Sequence, residues 1–440
     1  MTFSPALLLA RLAKLEAVAE KPARYVIAFS GGLDSTVLAH AVSEFSKIPV
    51  LAMHVDHGLQ AGSAGWAQHC ASAAATFGIE FQLLQVQVDL DSGKGPEASA
   101  RDARYTALQA EMRSGDWLLS AHHREDQAET LLLNLIRGSG PAGLAGIGEI
   151  RRFGPGWLAR AMLDVDRAAI EKYARDAGLD WVEDASNSDR RFDRNFLRHE
   201  ILPRFQSRWP DIAARLQRSA GHAGEASHLL TDLAKIDLER LGGRPERLSI
   251  DGLSQLSAPR QRNLIRYALR DLGLSTPSAQ QLERVMHDVI AARVDAQPLV
   301  SWPGASVRRY RKGLYLLPEK LADVIQMTRF AGDEVELGAG LGSLRLVAGA
   351  DVGISQALVQ RGLTIKSRSG GEEFQPQGQS HTRKLKKLLQ EEGVVPWMRE
   401  RLPLLYCGEQ LVAVGDLWMA ADAVSRPGVA VQWSGRPALH

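Results

Sequence analysis

Between residue 25 and about residue 178 the sequence alternates. "YVIAFS", "VLAMHVDH", "FQLLQVQV" and "DWLLSAHH" are short apolar runs, each followed by an Ala-rich or charged stretch with helical spacing. Nearly unbroken apolar strands separated by helices belong to a parallel sheet covered on both faces, because neither face meets water. The fold class expected here is α/β. In open sheets of this kind ligands collect beyond the carboxyl ends of the strands. Three of the runs end in polar clusters, Ser30 to Ser35, Asp56-His57 and His122 to Glu129, which predicts that the clusters converge.

After about residue 215 the alternation stops. "QRNLIRYALRDLGL" and "SAQQLERVMHDVIAARV" carry apolar residues at helical spacing and precede "VRRYRKGLYLLP", which reads as a hairpin. Beyond Ala322, Gly-punctuated strand candidates ("SLRLVAG", "LTIKSRS", "QLVAVGDLWMA") surround one basic helix, "TRKLKKLLQEEG". The expected organisation is an α/β domain over 1–215, with a parallel sheet and helices on both faces, then a mostly helical domain over 216–321 and a small α+β domain over 322–440. A chain of 440 residues, 45% apolar and 24% charged, suffices for that many cores.

Cys70 and Cys407 are the only cysteines. They are too few for a zinc or redox signature, so a reduced, cytosolic chain is expected. The N-terminal "MTFSPALLLARLAKLEAVAEK" reads as an amphipathic helix, and no run reaches the roughly 20 apolar residues of a membrane span. With a net charge of +2, any polyanion partner must be met by local patches.

"YVIAFS" leads into Ser30-Gly31-Gly32-Leu33-Asp34-Ser35 and a helix start. A strand, a glycine turn and a helix N-terminus place backbone N–H groups and the positive end of the helix dipole at one point, which suits a phosphate. Ser30, Ser35 and Thr36 add hydroxyl donors, and Gly31 and Gly32 let the backbone approach closely. The lysine of a nucleotide-triphosphate P-loop is missing. The string is similar instead to the PP-loop of the ATP pyrophosphatases, which split ATP into AMP and pyrophosphate. That resemblance implies that Ser30, Gly31, Gly32, Leu33, Asp34 and Ser35 hold the β and γ phosphates as a unit and leave the α phosphate open to attack, with Asp34 orienting Mg2+.

"SAHHREDQAET" spaces His122, Asp126 and Glu129 by four and three, so a helix here puts them on one face, directed at the nucleotide. "VEDASNSDRRFDRNFLRHEILPRF" packs Asp184, Asn187, Asp193, Arg194, Asn195 and Arg198 around Phe192 and Phe196, a pattern richer in Asn than a solvated charged helix. Basic residues gather at Arg308, Arg309, Arg311 and Lys312 and again at Arg383, Lys384, Lys386 and Lys387, which predicts a positive surface for a polyanion.

In order along the chain, "FSGGLDS", "HVDHGL", "EASARDARY", "AHHREDQAET", "RGSGPAGLAGI" and "EDASNSDRRFDRNFLR" resemble the hallmarks of the tRNA(Ile)-lysidine synthase family. "RQRNLIRYALRDLG", "VRRYRKGLYLLP" and "GEEFQPQGQSHTRKLKKLLQEEGVVPWMRERLPLLY" resemble its middle and C-terminal domains. The resemblance implies an ATP-dependent enzyme that adenylates the cytidine at the first anticodon position of tRNA(Ile) with anticodon CAU and joins L-lysine to its carbon 2. It further implies ATP and Mg2+ as cofactors, a cytoplasmic location and no membrane, and it is compatible with a homodimer. The lysine ε-amine has a reference pKa of about 10.4, so a carboxylate or imidazole must take its proton before it attacks. Asp126, Glu129, His122 and Asp184 are open candidates. Arg194 and Arg198 fit either the lysine carboxylate or a phosphate. Phe192 or Phe196 fits a cytidine taken out of the anticodon stack, with Asn187, Asn195 and Arg198 on the same substrate face.

Two rival readings have discriminating features. A tRNA 2-thiolation enzyme of the same superfamily needs a persulfide cysteine or a cluster-binding set, which Cys70 and Cys407 do not supply. A non-catalytic tRNA-binding protein would keep the basic patches and lose the Ser-Gly-Gly and acidic motifs, all of which are present.

Overall fold

The computed structural model describes residues 2–58, 63–89, 96–184, 189–293, 296–330, 332–338 and 340–440. The chain divides into two compact units, residues 1–229 and 230–440.

The first unit opens with α1 (Pro5–Leu15), where the Ser4 hydroxyl accepts the Leu7 N–H at 3.2 Å and Pro5 occupies the first turn. Leu8, Leu12 and Leu15 form its buried stripe, in keeping with an amphipathic helix. There follow β1 (Arg24–Ala28), α2 (Leu33–Ser43), β2 (Val50–Asp56), α3 (Ser63–Thr76), β3 (Glu80–Gln85), α4 (Pro96–Ala110), β4 (Asp116–Leu119), α5 (Arg124–Ile136), the short α6 (Pro141–Leu144), β5 (Ile150–Phe153), β6 (Gly156–Ala159) and α7 (Arg167–Asp176). The sheet runs β3-β2-β1-β4-β6-β5 and is parallel except for the β5–β6 hairpin.

Alternate residues of its central strands enter different cores. Ile27, Trp117 and Leu119 pack with α1 and α2 on one side, and Val26, Leu51 and Leu118 pack with Leu108 and Met112 on the other. Each such side chain contributes about 1.5–3 kcal/mol by leaving water, which is why the strands read as continuous apolar runs. The β5–β6 hairpin escapes the pattern because Arg151 and Arg152 leave β5 exposed at its middle. Sheet order reverses between β1 and β4, and a crevice opens beyond strand ends at such a switch point.

After α7 come α8 (Asp193–Phe196), a π-helical stretch Leu197–Ile201, α9 (Leu202–Arg208) and α10 (Ile212–Arg240), inside which the boundary between the units falls. The second unit begins with β7 (Arg247–Ser249), α11 (Ile250–Ser254), α12 (Ala258–Asp271), α13 (Ala279–Arg284) with a π-helical stretch Val285–Ile290, β8 (Leu299–Trp302), β9 (Ala305–Tyr310) and β10 (Gly313–Leu317). The hairpin expected in "VRRYRKGLYLLP" is β9–β10, part of an antiparallel sheet ordered β7-β10-β9-β8 that packs on Leu264, Ile265, Ala268 and Leu269 of α12.

The remainder has more strands than the sequence pattern disclosed. One five-stranded sheet contains Thr364–Lys366, Leu404–Cys407 and Gln410–Val414, and another contains Ser343–Ala350 and Gly428–Ser434. Around them lie α14 (Gln356–Gln360), α15 (Leu385–Glu392) and α16 (Pro396–Arg399). Several of the other strands are two or three residues long, too short for alternation to show. Separate cores form around Leu264 and around Leu385 within this unit, so we keep 216–321 and 322–440 as proposed divisions, with residues 216–229 placed in the first unit. Among the described residues no helix is long and apolar enough to cross a membrane.

Candidate active site

A cavity of about 970 Å³ opens beyond the ends of β1, β2 and β4 and is lined by Ser30 and Gly32 to Ser35, by Asp56 and His57, and by His122 and Asp126. The three polar clusters converge there. Gly31 has φ +76°, and a Cβ on it would stand 2.6 Å from Cys70 Sγ and 3.0 Å from Trp66 Nε1. Only glycine fits. Gly32 is extended and caps α2, and the Thr36 N–H makes the helix's first backbone bond to the Gly32 carbonyl at 3.0 Å. The N–H groups before Thr36 have no intrahelical partner and remain as anion donors. Ser35 Oγ donates to the Gly32 carbonyl at 3.0 Å, the Ser30 N–H donates to Ser35 Oγ at 3.3 Å, and the two hydroxyls lie 3.0 Å apart. The loop's own hydroxyls therefore preshape it.

Asp34 stands inside the first turn of α2. Its Oδ1 is buried without a hydrogen bond, and its Oδ2 is 3.7 Å from His123 Nε2. Burial pushes the Asp34 carboxyl up, against the pull of His123. A carboxylate oxygen stripped of donors beside a phosphate loop fits a hard, oxygen-seeking cation such as Mg2+.

His122 and His123 exchange the roles that the spacing predicts. The helix α5 begins at Arg124 with His123 as its cap, and the His123 N–H donates to Asp126 Oδ2 at 2.9 Å. His122 therefore precedes the helix and shares no helical face with Asp126 and Glu129. Its Nδ1 lies 2.7 Å from Ser120 Oγ, and burial pushes its pKa down to about 3, so it is neutral at pH 7. His123, which the sequence pattern does not single out, lies 2.9 Å from Glu125, 3.5 Å from Asp126 and 3.7 Å from Asp34. Burial opposes its charge, but Asp126, Glu125 and Asp34 outweigh burial and raise its pKa. The signal present in the sequence is Asp126 three residues after His123, the spacing of a capping box.

Glu129 is fully buried and accepts from Arg194 Nε at 3.0 Å and from Arg198 Nε at 2.6 Å. Arg198 Nη2 also reaches Asp126 Oδ1 at 3.1 Å, and Arg194 Nη2 donates to Thr130 Oγ1 at 3.2 Å. Burial disfavours an ionised Asp126, but the charges of His123, Arg194 and Arg198 prevail and hold it down at about 2. Arg198 lies in the π-helical stretch and still lines the cavity, as does Asp184. Arg104, which lies in the "EASARDARY" stretch but which the sequence pattern does not single out as a site residue, lines it too. Burial, with Arg101 and Arg194 nearby, lowers the pKa of its guanidinium. Asn195 Nδ2 donates to the Asp189 carbonyl at 3.0 Å. Phe196 is exposed and Phe192 half-buried, and neither is in the cavity lining. Asn187 lies outside the described residues.

The second unit redistributes the expected basic surface. Arg309 corrects the expectation: it is only 6% exposed, and it donates to the carbonyls of Ile290 at 2.6 Å, Ala292 at 2.5 Å and Arg311 at 3.2 Å. Strand alternation turns it inward, beside Arg308, which is half-buried with its guanidinium 5.5 Å from the Trp397 ring centre. Arg311 donates to the Gln390 carbonyl in the last turn of α15 at 2.6 Å, Lys312 pairs with Asp251 at 2.7 Å, and Arg383 pairs with Glu391. Lys384, Lys386 and Lys387 are exposed, while Leu385, Leu388 and Leu389 bury the opposite side of α15.

Three family models match the chain: a PP-loop domain over residues 8–205, a TilS substrate binding domain over 248–315 and a TilS substrate C-terminal domain over 363–433. The chain is 42% identical over 428 residues to a tRNA(Ile)-lysidine synthase of Alkalilimnicola ehrlichii, covering 95% of each chain. It is 39% identical over 421 residues to one of Methylococcus capsulatus, covering 93% of this chain and 96% of the relative. It is 41% identical over 394 residues to one of Pectobacterium atrosepticum, covering 88% and 89%.

Proposed function

The chain belongs to the tRNA(Ile)-lysidine synthase family, and from that premise we propose that its cavity adenylates the first anticodon cytidine of tRNA(Ile) and then joins lysine to it. The observation that carries the reading is one cavity holding both the Ser30–Ser35 loop and the Asp126, Asp184 and Arg198 side chains.

The cytidine O2 attacks the α phosphorus of ATP, an O–P bond forms, and pyrophosphate leaves. The open N–H groups at the start of α2, with Ser30 and Ser35, hold that pyrophosphate and neutralise the charge it gains. Mg2+, when bound at Asp34, supplies further neutralisation of phosphate charge. In the second step the lysine ε-amine attacks carbon 2 and the C2–O bond breaks. AMP departs where a bare carbonyl oxygen would not. The product lysidine pairs with A, so the codon read changes from AUG to AUA and the amino acid accepted from methionine to isoleucine.

The attacking amine must first lose a proton. Of the four candidates, His122 at about 3 and Asp126 at about 2 are weak bases, and Glu129 is closed in by two arginines. We assign proton acceptance to Asp184 on the cavity wall, the lysine carboxylate to Arg104 or Arg198, and tRNA backbone binding to Lys384, Lys386 and Lys387. We place the reaction in the cytoplasm.

Incubation with ATP, MgCl2, labelled L-lysine and tRNA(Ile) bearing CAU, followed by digestion to nucleosides, tests the reading. The expected result is labelled lysidine at the first anticodon position and one AMP per lysidine. AMP release without incorporated label, or no AMP at all, overturns it.

A further inference from the structure

The acidic wall of the cavity is tied to its phosphate loop through the backbone. Trp181, Val182, Glu183 and Asp184 line the cavity beside Glu171. The Val182 N–H donates to the Gly31 carbonyl at 2.9 Å, and a Cβ on Gly32 would lie 3.9 Å from the Val182 carbonyl oxygen. Cys70 Sγ and Trp66 Nε1 also pack close against Gly31. Gly31 is therefore held by Val182 as well as by these two side chains.

This hydrogen bond has two consequences. An anion-binding loop works through its N–H groups, and a carbonyl engaged by Val182 is not free to swing toward a phosphate. The same bond also fixes the chain position from which Glu183 and Asp184 project. An amino acid with two ammonium groups is drawn to such a wall, and Glu171, Glu183 and Asp184 supply its carboxylates.

We propose that the Val182 N–H couples the two substrate subsites, so that pyrophosphate groups in the loop and a diamino acid at the 183–184 wall bind cooperatively. Filling the loop fixes Gly31, Gly31 fixes Val182, and Val182 sets the wall. By linkage the amino acid tightens the loop's hold on pyrophosphate by the same factor. Val182 is a positioning residue that acts through its main chain alone, and this inference rests on reading the cavity as a site for ATP and lysine.

Calorimetric titration of L-lysine into the full chain in MgCl2, with and without saturating inorganic pyrophosphate, measures the coupling. Pyrophosphate should tighten lysine by about tenfold in the wild type and in Val182→Ala, which keeps the N–H. In Val182→Pro, which lacks it, the enhancement should shrink to within about twofold, with lysine affinity measured in the absence of pyrophosphate as the reference for each variant. No enhancement in the wild type, or a full enhancement in Val182→Pro, overturns the proposal. If Val182→Pro does not fold, replacing Val182 with its α-hydroxy acid puts an ester oxygen where the N–H was and keeps the side chain, and the same two outcomes decide. Failure of the wild type to form lysidine rejects the catalytic reading, whereas lysidine formed without coupling rejects this inference alone.

Discussion

The two units use positive charge in opposite ways. In the first, Arg194 and Arg198 close on the fully buried Glu129, and Asp34, His123 and Asp126 crowd beside the phosphate loop. In the second, Arg309 turns inward, Arg311 holds the end of a helix, and Lys386 and Lys387 face solvent on α15, with exposed Lys384 just before it. Fixed partners at low dielectric make a charge directional, which bond-making chemistry needs. An exposed charge is not directional, but it attracts a polyanion along its whole length. Chemistry and RNA affinity should therefore separate between the units under mutation.

Asp34→Ala gives the largest expected separation. AMP formation in a single turnover should fall by at least about 10³-fold, roughly 4 kcal/mol, because the carboxylate at the start of α2, whose Oδ1 is buried without a hydrogen bond, is gone. Filter binding of tRNA should change by less than about twofold, because the attraction is proposed to reside on Lys384, Lys386 and Lys387. A parallel loss of AMP formation and tRNA affinity would break the comparison.

Within the first unit, Glu129→Gln distinguishes a positioning group from a chemical one. Two guanidinium groups would face a neutral amide in a fully buried place, and breaking a buried pair this way costs about 3–5 kcal/mol. Urea unfolding of the first transition should move accordingly, with the protein still making AMP at low denaturant. Unchanged stability together with lost lysine transfer would show that Glu129 acts on the substrate instead.

The phosphate loop could be read directly because its chemistry lies in the backbone, and a strand, two glycines and a helix start all leave marks in residue type. The central strands could be read because both of their faces are buried, Val26 and Leu118 on one side and Ile27 and Trp117 on the other. His123 could not be singled out, because one residue's shift in the helix cap exchanges it with His122. Val182 left no mark either, since it meets Gly31 only through a main-chain N–H that every non-proline residue has. Arg308 and Arg309 are adjacent in β9, and their basicity does not say which face of the strand is buried.

That last ambiguity sets the smallest test. Reversing two charges in the double variant Lys386→Glu, Lys387→Glu should weaken tRNA binding about tenfold near 0.1 M salt and flatten the plot of log affinity against log salt by about 0.7–0.9 for each phosphate no longer neutralised. Arg309→Met should leave that slope unchanged. It removes donors from the carbonyls of Ile290, Ala292 and Arg311, so its cost should be about 1–3 kcal/mol of stability in the second unit rather than affinity. Salt titrations of both variants at matched folded fraction separate the two effects. A flattened slope in Arg309→Met would mean that the guanidinium leaves its carbonyls to meet RNA. The inward arginine would then belong with the lysines of α15, and burial would not be what divides structural from RNA-binding cations in this unit.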